Sequence, residues 1–368
     1  MEDNPRRRER WAYLTEGLSD SKRINVEVLL DNQNEHLHGR AKVGPMFEDV
    51  VTTANVGAFT TFSFPMVRRI FPRLIANDLV SVQPMNMPTG KIFFFDIKYA
   101  TVGSPPTQPR VDLVANFSPT YAEAPEATQV PKLTLALSSL DVTATTKKLA
   151  AEWSMESEQD LFAYHGLSAE NELMTAVGDE IAREIDRTII SAMFAFASGG
   201  NVNWHSTVPS SGPYSLIDPK MYQKTIYDAI VDANNLIFAK RFRNANWIVA
   251  GTAACARLEK LDEFRLFPVA DPVGQIVYGP GLFGTISGRW SVYKDPWLDV
   301  TLGAEKILLG YKGTSAMDTG FVYAPYIPLL TTAPFVNPDT LTTVRAMMTR
   351  YAIQGVIPEG YATVTIIP

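Results

Sequence analysis

Cysteine is almost missing: Cys255 stands alone among 368 residues. A single thiol excludes an intrachain disulfide and any cysteine-ligated metal cluster. Set in GTAACARLEK, among small and apolar neighbours, it reads as a buried structural thiol and not as a nucleophile. Long apolar runs are missing too. The greasiest stretch, IISAMFAFA at 189–197, is too short to cross a bilayer. The opening MEDNPRRRERWAY has no apolar segment behind its basic residues, as an export signal requires. Nor is there an excess of positive charge. The net charge of −6 argues against a broad nucleic-acid-binding surface.

Signatures of chemistry are equally scarce. No G-x-S-x-G nucleophile turn and no H-E-x-x-H pair occurs. His36 and His38 sit one residue apart in a polar stretch without a matching ligand set, and read as solvated side chains. Glu156, Glu158 and Asp160 cluster in SMESEQDLFAYHGL, a helix-like segment, and are expected to face water. The stretch GPGLFG at 279–284 matches G-x-G-x-x-G, but a dinucleotide fingerprint needs a helix opening at its end. TISGRWSVYKDPW follows instead, with Gly288 and a Asp-Pro break, and Pro280 removes a donor that phosphate needs. Gly279, Gly281 and Gly284 therefore read as turn residues at a loop tip. No catalytic, cofactor-binding or metal-ligating residue is expected, and no cofactor.

What is present is enough apolar residue for a sizeable core, 46% of the chain, in two or three packed units. Residues 1–57 look polar and irregular, an arm without a core of its own. Its basic run Arg6, Arg7, Arg8 and Arg10 is diluted by Glu2, Asp3 and Glu9, and reads as a solvated arm or a contact to an acidic neighbour. KIFFFDIKY, 91–99, follows the turn Pro88-Thr89-Gly90 and predicts a strand, as does the alternation from Leu133 to Val142. Between them, residues 101–131 hold six prolines, which forbid regular ladder pairing and predict a long hairpin arm. Its apolar residues Val111, Leu113, Val114, Phe117 and Tyr121 need a surface, which a neighbouring subunit can supply.

A long helix is predicted over 168–198. Ser168 caps it, Glu170 and Glu172 suit the positive end of its dipole, and Gly199-Gly200 stops it. Leu173, Val177, Ile181, Ile185, Ile189 and Met193 make one apolar stripe, with Asp179–Arg183 and Glu184–Arg187 able to pair on the wet side. At 1.5 Å per residue it spans about 46 Å, a structural spine. A second helix opens at Asp218-Pro219 with a stripe of Tyr222, Ile226, Ile230, Ala233 and Ile237. NWIVAG, 246–251, predicts a strand, TAACARLEKLDEF a short helix, and the chain beyond 264 strands and turns. Helices in the middle and strands toward the end predict an α+β fold.

Several longer stretches are similar to the major capsid proteins of tailed bacteriophages of the large contractile-tailed type. They are PRLIANDLVSVQPMNMPTGKIFFFDIKY (72–99), VTATTKKLAAEWSMESEQDLFAYHGLSAENELMTAVGDEIAREIDRTII (142–190), GRWSVYKDP (288–296), LLGYKGTSAMDTGFVYAPYIPLL (308–330) and TRYAI (349–353). The resemblance implies the tailed-phage capsid fold. Its parts would be an N-terminal arm (1–57), peripheral-domain strands (58–99), an extended loop (100–131) and a peripheral domain (132–212) with the spine helix 168–198. An axial domain (213–325) and a closing segment of peripheral strands (326–368) would complete it.

Implied subunit contacts are Pro106, Arg110, Leu113, Phe117 and Tyr121 in the extended loop. Phe335, Asn337 and Asp339 would do the same in a peripheral loop at 331–340 near three-fold contacts. Gly279, Gly281 and Gly284 would form a turn near the five- or six-fold axis, and Arg6, Arg7 and Arg8 belong to the arm. The implied partners are the chain itself, as hexamers and pentamers, scaffold and portal proteins, and decoration or vertex proteins. Double-stranded DNA would be packaged without sequence-specific contacts, and no membrane is involved. The place of the protein would be the virion, after assembly in the bacterial host cytoplasm.

Residues 99–131 contain no lysine, so a covalently welded shell is not expected. Leu14-Thr15-Glu16 before Gly17 matches the hydrophobic-x-Glu triplet at which relatives are trimmed, yet the expectation for this chain is no trimming. A vertex-only pentamer, an encapsulin-like compartment, and a nucleotide-binding enzyme resting on GPGLFG alone are the alternatives.

Overall fold

The computed structural model describes residues 5–40, 66–68, 70–100, 108–109, 132–208, 218–266, 281–299, 305–313, 320–337 and 339–367. Contacts divide the chain into two discontinuous units: 1–90 with 142–190 and 322–354, and 91–141 with 191–321 and 355–368.

The first unit is built on a five-stranded sheet in the order β1 (Ser81–Val82), β12 (Phe321–Thr331), β14 (Thr342–Gly355), β13 (Phe335–Asn337), with β5 (Thr145–Ser154) also paired to β14. β5 and β14 run antiparallel in unbroken register from Thr145 opposite Tyr351 to Ser154 opposite Thr342. β12 is buried almost throughout, which suits its near-continuous apolar sequence FVYAPYIPLL. Tyr323 and Tyr351 pack ring to ring at 5.6 Å in this core.

The spine helix, α4 (Ala169–Phe196), begins and ends within two residues of the expected bounds. Val177, Ile181, Ile185, Ile189 and Met193 are buried as the stripe requires, joined by Met174, Ile190 and Phe194. Asp186 on the same face is buried too, and its carboxylate accepts the backbone N–H of Ile75 at 3.0 Å. On the wet side Arg183 pairs with Glu180, and Glu184 takes Lys147 of β5 at 3.1 Å. Gly178 costs about 1 kcal/mol in a helix interior relative to alanine. It fits a close approach, since a Cβ would lie 3.0 Å from both Ile70 Cδ1 and Met66 Sδ and those side chains would have to shift slightly to admit it.

The expectation of an irregular arm is corrected over residues 5–40. They form two helices, α1 (Pro5–Thr15) and α2 (Asp20–Arg40), joined by a turn in which Gly17 takes φ 85°. Trp11 and Leu14 of α1 and Val26, Leu29, Leu30 and Gln33 of α2 are buried. Positions 26, 29, 30 and 33 are a helical stripe, but its last member is polar and Glu27 beside it is buried as well, which hid the period in the sequence. Side-chain bonds tie both helices to the unit. Trp11 Nε1 donates to Asp31 at 2.8 Å, Asn32 to the Met85 carbonyl at 2.7 Å, and Gln33 to the Leu329 carbonyl at 2.6 Å. Residues 1–4 and 41–57 of the expected arm lie outside the described residues.

The second unit centres on a seven-stranded mixed sheet, β6 (Gly200–His205), β15 (Tyr361–Ile367), β11 (Lys306–Gly310), β7 (Trp247–Gly251), β10 (Trp290–Asp295), β9 (Gly281–Ile286) and β8 (Phe264–Leu266), in that order. β6–β15 and β7–β10 are parallel pairs and the others antiparallel. All five residues of β7 are buried, as befits a central strand covered on both faces. A smaller sheet, β3 (Gln108–Pro109), β2 (Thr89–Ala100), β4 (Lys132–Thr143), carries the predicted strand pair. Pro109 stands opposite Lys98 in the β2–β3 pair, on the edge where proline is tolerated.

The helix expected from Asp218 is two: α5 (Pro219–Lys224) and α6 (Ile226–Arg241). The break falls at Thr225, whose hydroxyl donates to the Tyr222 carbonyl at 2.7 Å and accepts Trp204 Nε1 at 2.9 Å. Tyr222, Ile226, Ile230, Ala233 and Ile237 are buried together with Trp204, Ile307 and Val364, so the predicted stripe survives the break.

Candidate subunit-contact surfaces

One end of the five-stranded sheet of the first unit exposes apolar side chains. β13 pairs antiparallel with β14, Phe335 opposite Val344 and Asn337 opposite Thr342, making a short hairpin. Its tip is closed by polar bonds: the Asn337 side chain accepts the Asp339 N–H at 3.2 Å, and the Asn337 carbonyl accepts the Leu341 N–H at 2.9 Å. Leu341 sits at φ 52°, a left-handed conformation that a branched side chain adopts at a cost. The outcome is outward apolar display: Phe335 is 67% exposed, Leu341 62% and Val336 47%. The residues expected in a peripheral loop, Phe335, Asn337 and Asp339, are thus brought together on this hairpin, the first two within a strand.

The neighbouring helix was missed as a surface. α3 (Met155–His165) follows β5, whose Ser154 stands opposite Thr342, so it starts beside the hairpin tip. Ser154 caps it by accepting the Ser157 N–H, and Gly166 ends it in the left-handed conformation. None of its residues is buried. Glu156 and Asp160 face water as expected, while Glu158 accepts Trp153 Nε1 at 3.1 Å. Phe162, Tyr164 and, just after the helix, Leu167 are exposed. The sequence could have pointed to them only through aromatic residues in an acidic helix.

Gly281 and Gly284 do not form a turn. Both lie within β9, which continues to Ile286 and turns through Ser287, Gly288 and Arg289 into β10. The close approach of β8 explains Gly284, where a Cβ would fall 2.5 Å from the Arg265 carbonyl oxygen and 2.6 Å from the Phe264 ring. A strand where the dinucleotide fingerprint demands a helix removes the nucleotide reading of GPGLFG. Gly279 lies outside the described residues, as do Pro106, Arg110, Leu113, Phe117 and Tyr121. Arg6, Arg7 and Arg8 open α1, and Arg8 is exposed.

The described residues contain no group of three or more His, Cys, Asp or Glu side chains able to hold a metal ion, and no helix long and apolar enough to cross a membrane. Cys255 is fully buried against the Ala250 carbonyl, and burial pushes its thiol up to about 12. A protonated, inaccessible thiol is no nucleophile. Tyr323 and Tyr361 are likewise raised above the ordinary phenol value by burial.

The family described as "Major capsid protein Gp23" matches residues 56–123 and 113–359. The major capsid protein of Serratia phage KSP90 is 26% identical over 358 residues, covering 83% of this chain and 79% of its own. That of Enterobacteria phage T4 is 21% identical over 478 residues, covering 95% and 91%. Among solved structures, the capsid of Myoviridae phage XM1 aligns with a TM-score of 0.48 at 8% identity, over 80% of this chain and 92% of that one. The capsid of the native GTA particle gives 0.48 at 12% identity, over 90% and 97%. With the family matched along most of its length and an α+β fold, this chain belongs to the Gp23 family of major capsid proteins of contractile-tailed phages and is a capsid shell protein.

Proposed function

We propose that hexamers and pentamers of this chain close an icosahedral head around double-stranded DNA, as a structural subunit without catalysis. The carrying observation is the hairpin tip, where Phe335, Val336 and Leu341 stand in solvent on the isolated chain. Such clustered apolar exposure marks a surface that association covers. Phe335, Asn337 and Asp339 make inter-subunit contacts there, and Pro106, Arg110, Leu113, Phe117 and Tyr121 rest the extended loop on a neighbour. Residues 213–325 form the axial domain, with Gly279, Gly281 and Gly284 near the capsomer axis. The remainder forms the arm and the peripheral domain.

The net charge of −6 supports a container that encloses DNA without gripping it. The shell is non-covalent and its subunits keep Leu14-Thr15-Glu16-Gly17 uncut. Scaffold and portal proteins take part in assembly, which occurs in the host cytoplasm, and decoration or vertex proteins add to the finished head.

Subunit counting on purified virions tests the reading. This chain should be the dominant protein and begin ahead of Gly17. A chain confined to a few vertices, or one beginning at Gly17, would overturn the corresponding part.

A further inference from the structure

The turn between α1 and α2 carries the peptide bond Glu16–Gly17, and both residues are exposed. Exposed turns are where proteases nick folded chains. The residues just before this one are held fast. Leu14 and Thr15 are 6% and 2% exposed. The Thr15 hydroxyl donates to the Trp11 carbonyl at 3.1 Å, and the Thr15 carbonyl accepts the Leu18 N–H at 3.3 Å. Gly17 takes φ 85°, a left-handed turn where a protease needs extended chain.

The last turn of α1 contains no basic residue, although a cation suits the negative end of a helix dipole. Arg68 supplies that cation from far along the chain. Its guanidinium donates to the Glu16 carbonyl at 2.9 Å and to the Tyr13 carbonyl at 3.3 Å. Met66 and Val67 beside it are buried, which gives the arginine a fixed base. Beyond the turn, Lys22 donates to the Pro72 carbonyl at 3.4 Å and pairs with Asp78 at 3.6 Å. Both flanks of the turn are thus tied to residues 68–78. The Glu16 carbonyl is that of the Glu16–Gly17 bond itself, the group a protease must seat among its own oxyanion donors.

We infer that Arg68 is a latch: by holding this carbonyl and the end of α1, it keeps the folded chain from being cut before Gly17. The latch gives the uncut subunit proposed above a physical cause, and to that extent rests on that reading.

Digestion of the full chain with an endopeptidase that cuts after glutamate tests it. Cleavage after Glu16 should be slower than in a synthetic peptide of residues 8–24 by about a hundredfold or more, because the turn must first open. Arg68→Gln should speed that cleavage about threefold to tenfold, and Arg68→Lys, which keeps the charge but not the fork of donors, should recover part of the protection. Cleavage after Glu180, exposed within α4, serves as the internal control and should keep its rate in the variants. A folded chain cut as fast as the peptide overturns the latch, as does Arg68→Gln leaving the Glu16 rate unchanged or raising both rates alike. Particles whose subunits begin at Gly17, from a folded chain that resists the endopeptidase, overturn the uncut reading and leave the latch standing.

Discussion

Arg345 of β14 bonds the carboxylate of Glu170 in the first turn of α4, while its Nε donates to the Thr332 carbonyl at 3.0 Å. The Arg345 side chain is only 13% exposed, so one guanidinium joins the long helix, the long strand and the connection after β12, through a part-buried contact to Glu170 and an exposed one to Thr332. Removing it leaves the half-buried Glu170 carboxylate without its guanidinium. Arg345→Met should cost about 2 kcal/mol in urea unfolding, the scale of hydrogen bonds to charged groups. A cycle with Glu170→Gln should show the two losses to be coupled; strictly additive losses would contradict the bridge.

The residues show why some elements were legible and others were not. α4 could be read from sequence because its apolar stripe is unbroken and both ends are punctuated, by Ser168 and by Gly199-Gly200. α2 could not, because Glu27 and Gln33 hold buried positions through contacts to Arg23, Thr15 and Leu329 that only the folded chain reveals. Thr225 reads as an ordinary helix residue until Trp204, distant in sequence, claims its hydroxyl. Contact surfaces are harder still. Phe162 and Phe335 look like core residues in any one-dimensional reading, and their exposure is a property of the completed fold.

Alkaline pH should weaken the monomer. The Cys255 thiol, ordinarily near 9, is pushed by burial to about 12, and the phenols of Tyr323 and Tyr361 rise for the same reason. Above about pH 9 the unfolded chain therefore loses protons that the folded chain keeps, and stability falls as pH climbs toward the folded values. The melting temperature should decline steadily from pH 9 to 11. A flat profile would mean these groups are better solvated than their burial indicates. Iodoacetamide should label Cys255 only after unfolding.

Gly284→Ala separates packing from ligand binding at GPGLFG. The added methyl meets the Arg265 carbonyl and the Phe264 ring, and should destabilise by about 1–3 kcal/mol through overpacking. Neither the parent chain nor the variant should show heat on titration with dinucleotides. Binding by the parent that the variant loses would restore the nucleotide reading.

Particles boiled in detergent should run as single chains. Lysine is absent from residues 99–131, so that segment supplies no side-chain amine for a cross-link. A ladder of covalent multimers after boiling under reducing conditions would contradict a non-covalent shell.

Electron cryomicroscopy of particles assembled from this chain bears most directly on its role. The expected image is a closed shell of six- and five-membered rings in which Phe335, Val336 and Leu341 are covered by neighbouring copies. Particles built of another protein, or a chain that stays monomeric with this hairpin in solvent at every concentration, would contradict it.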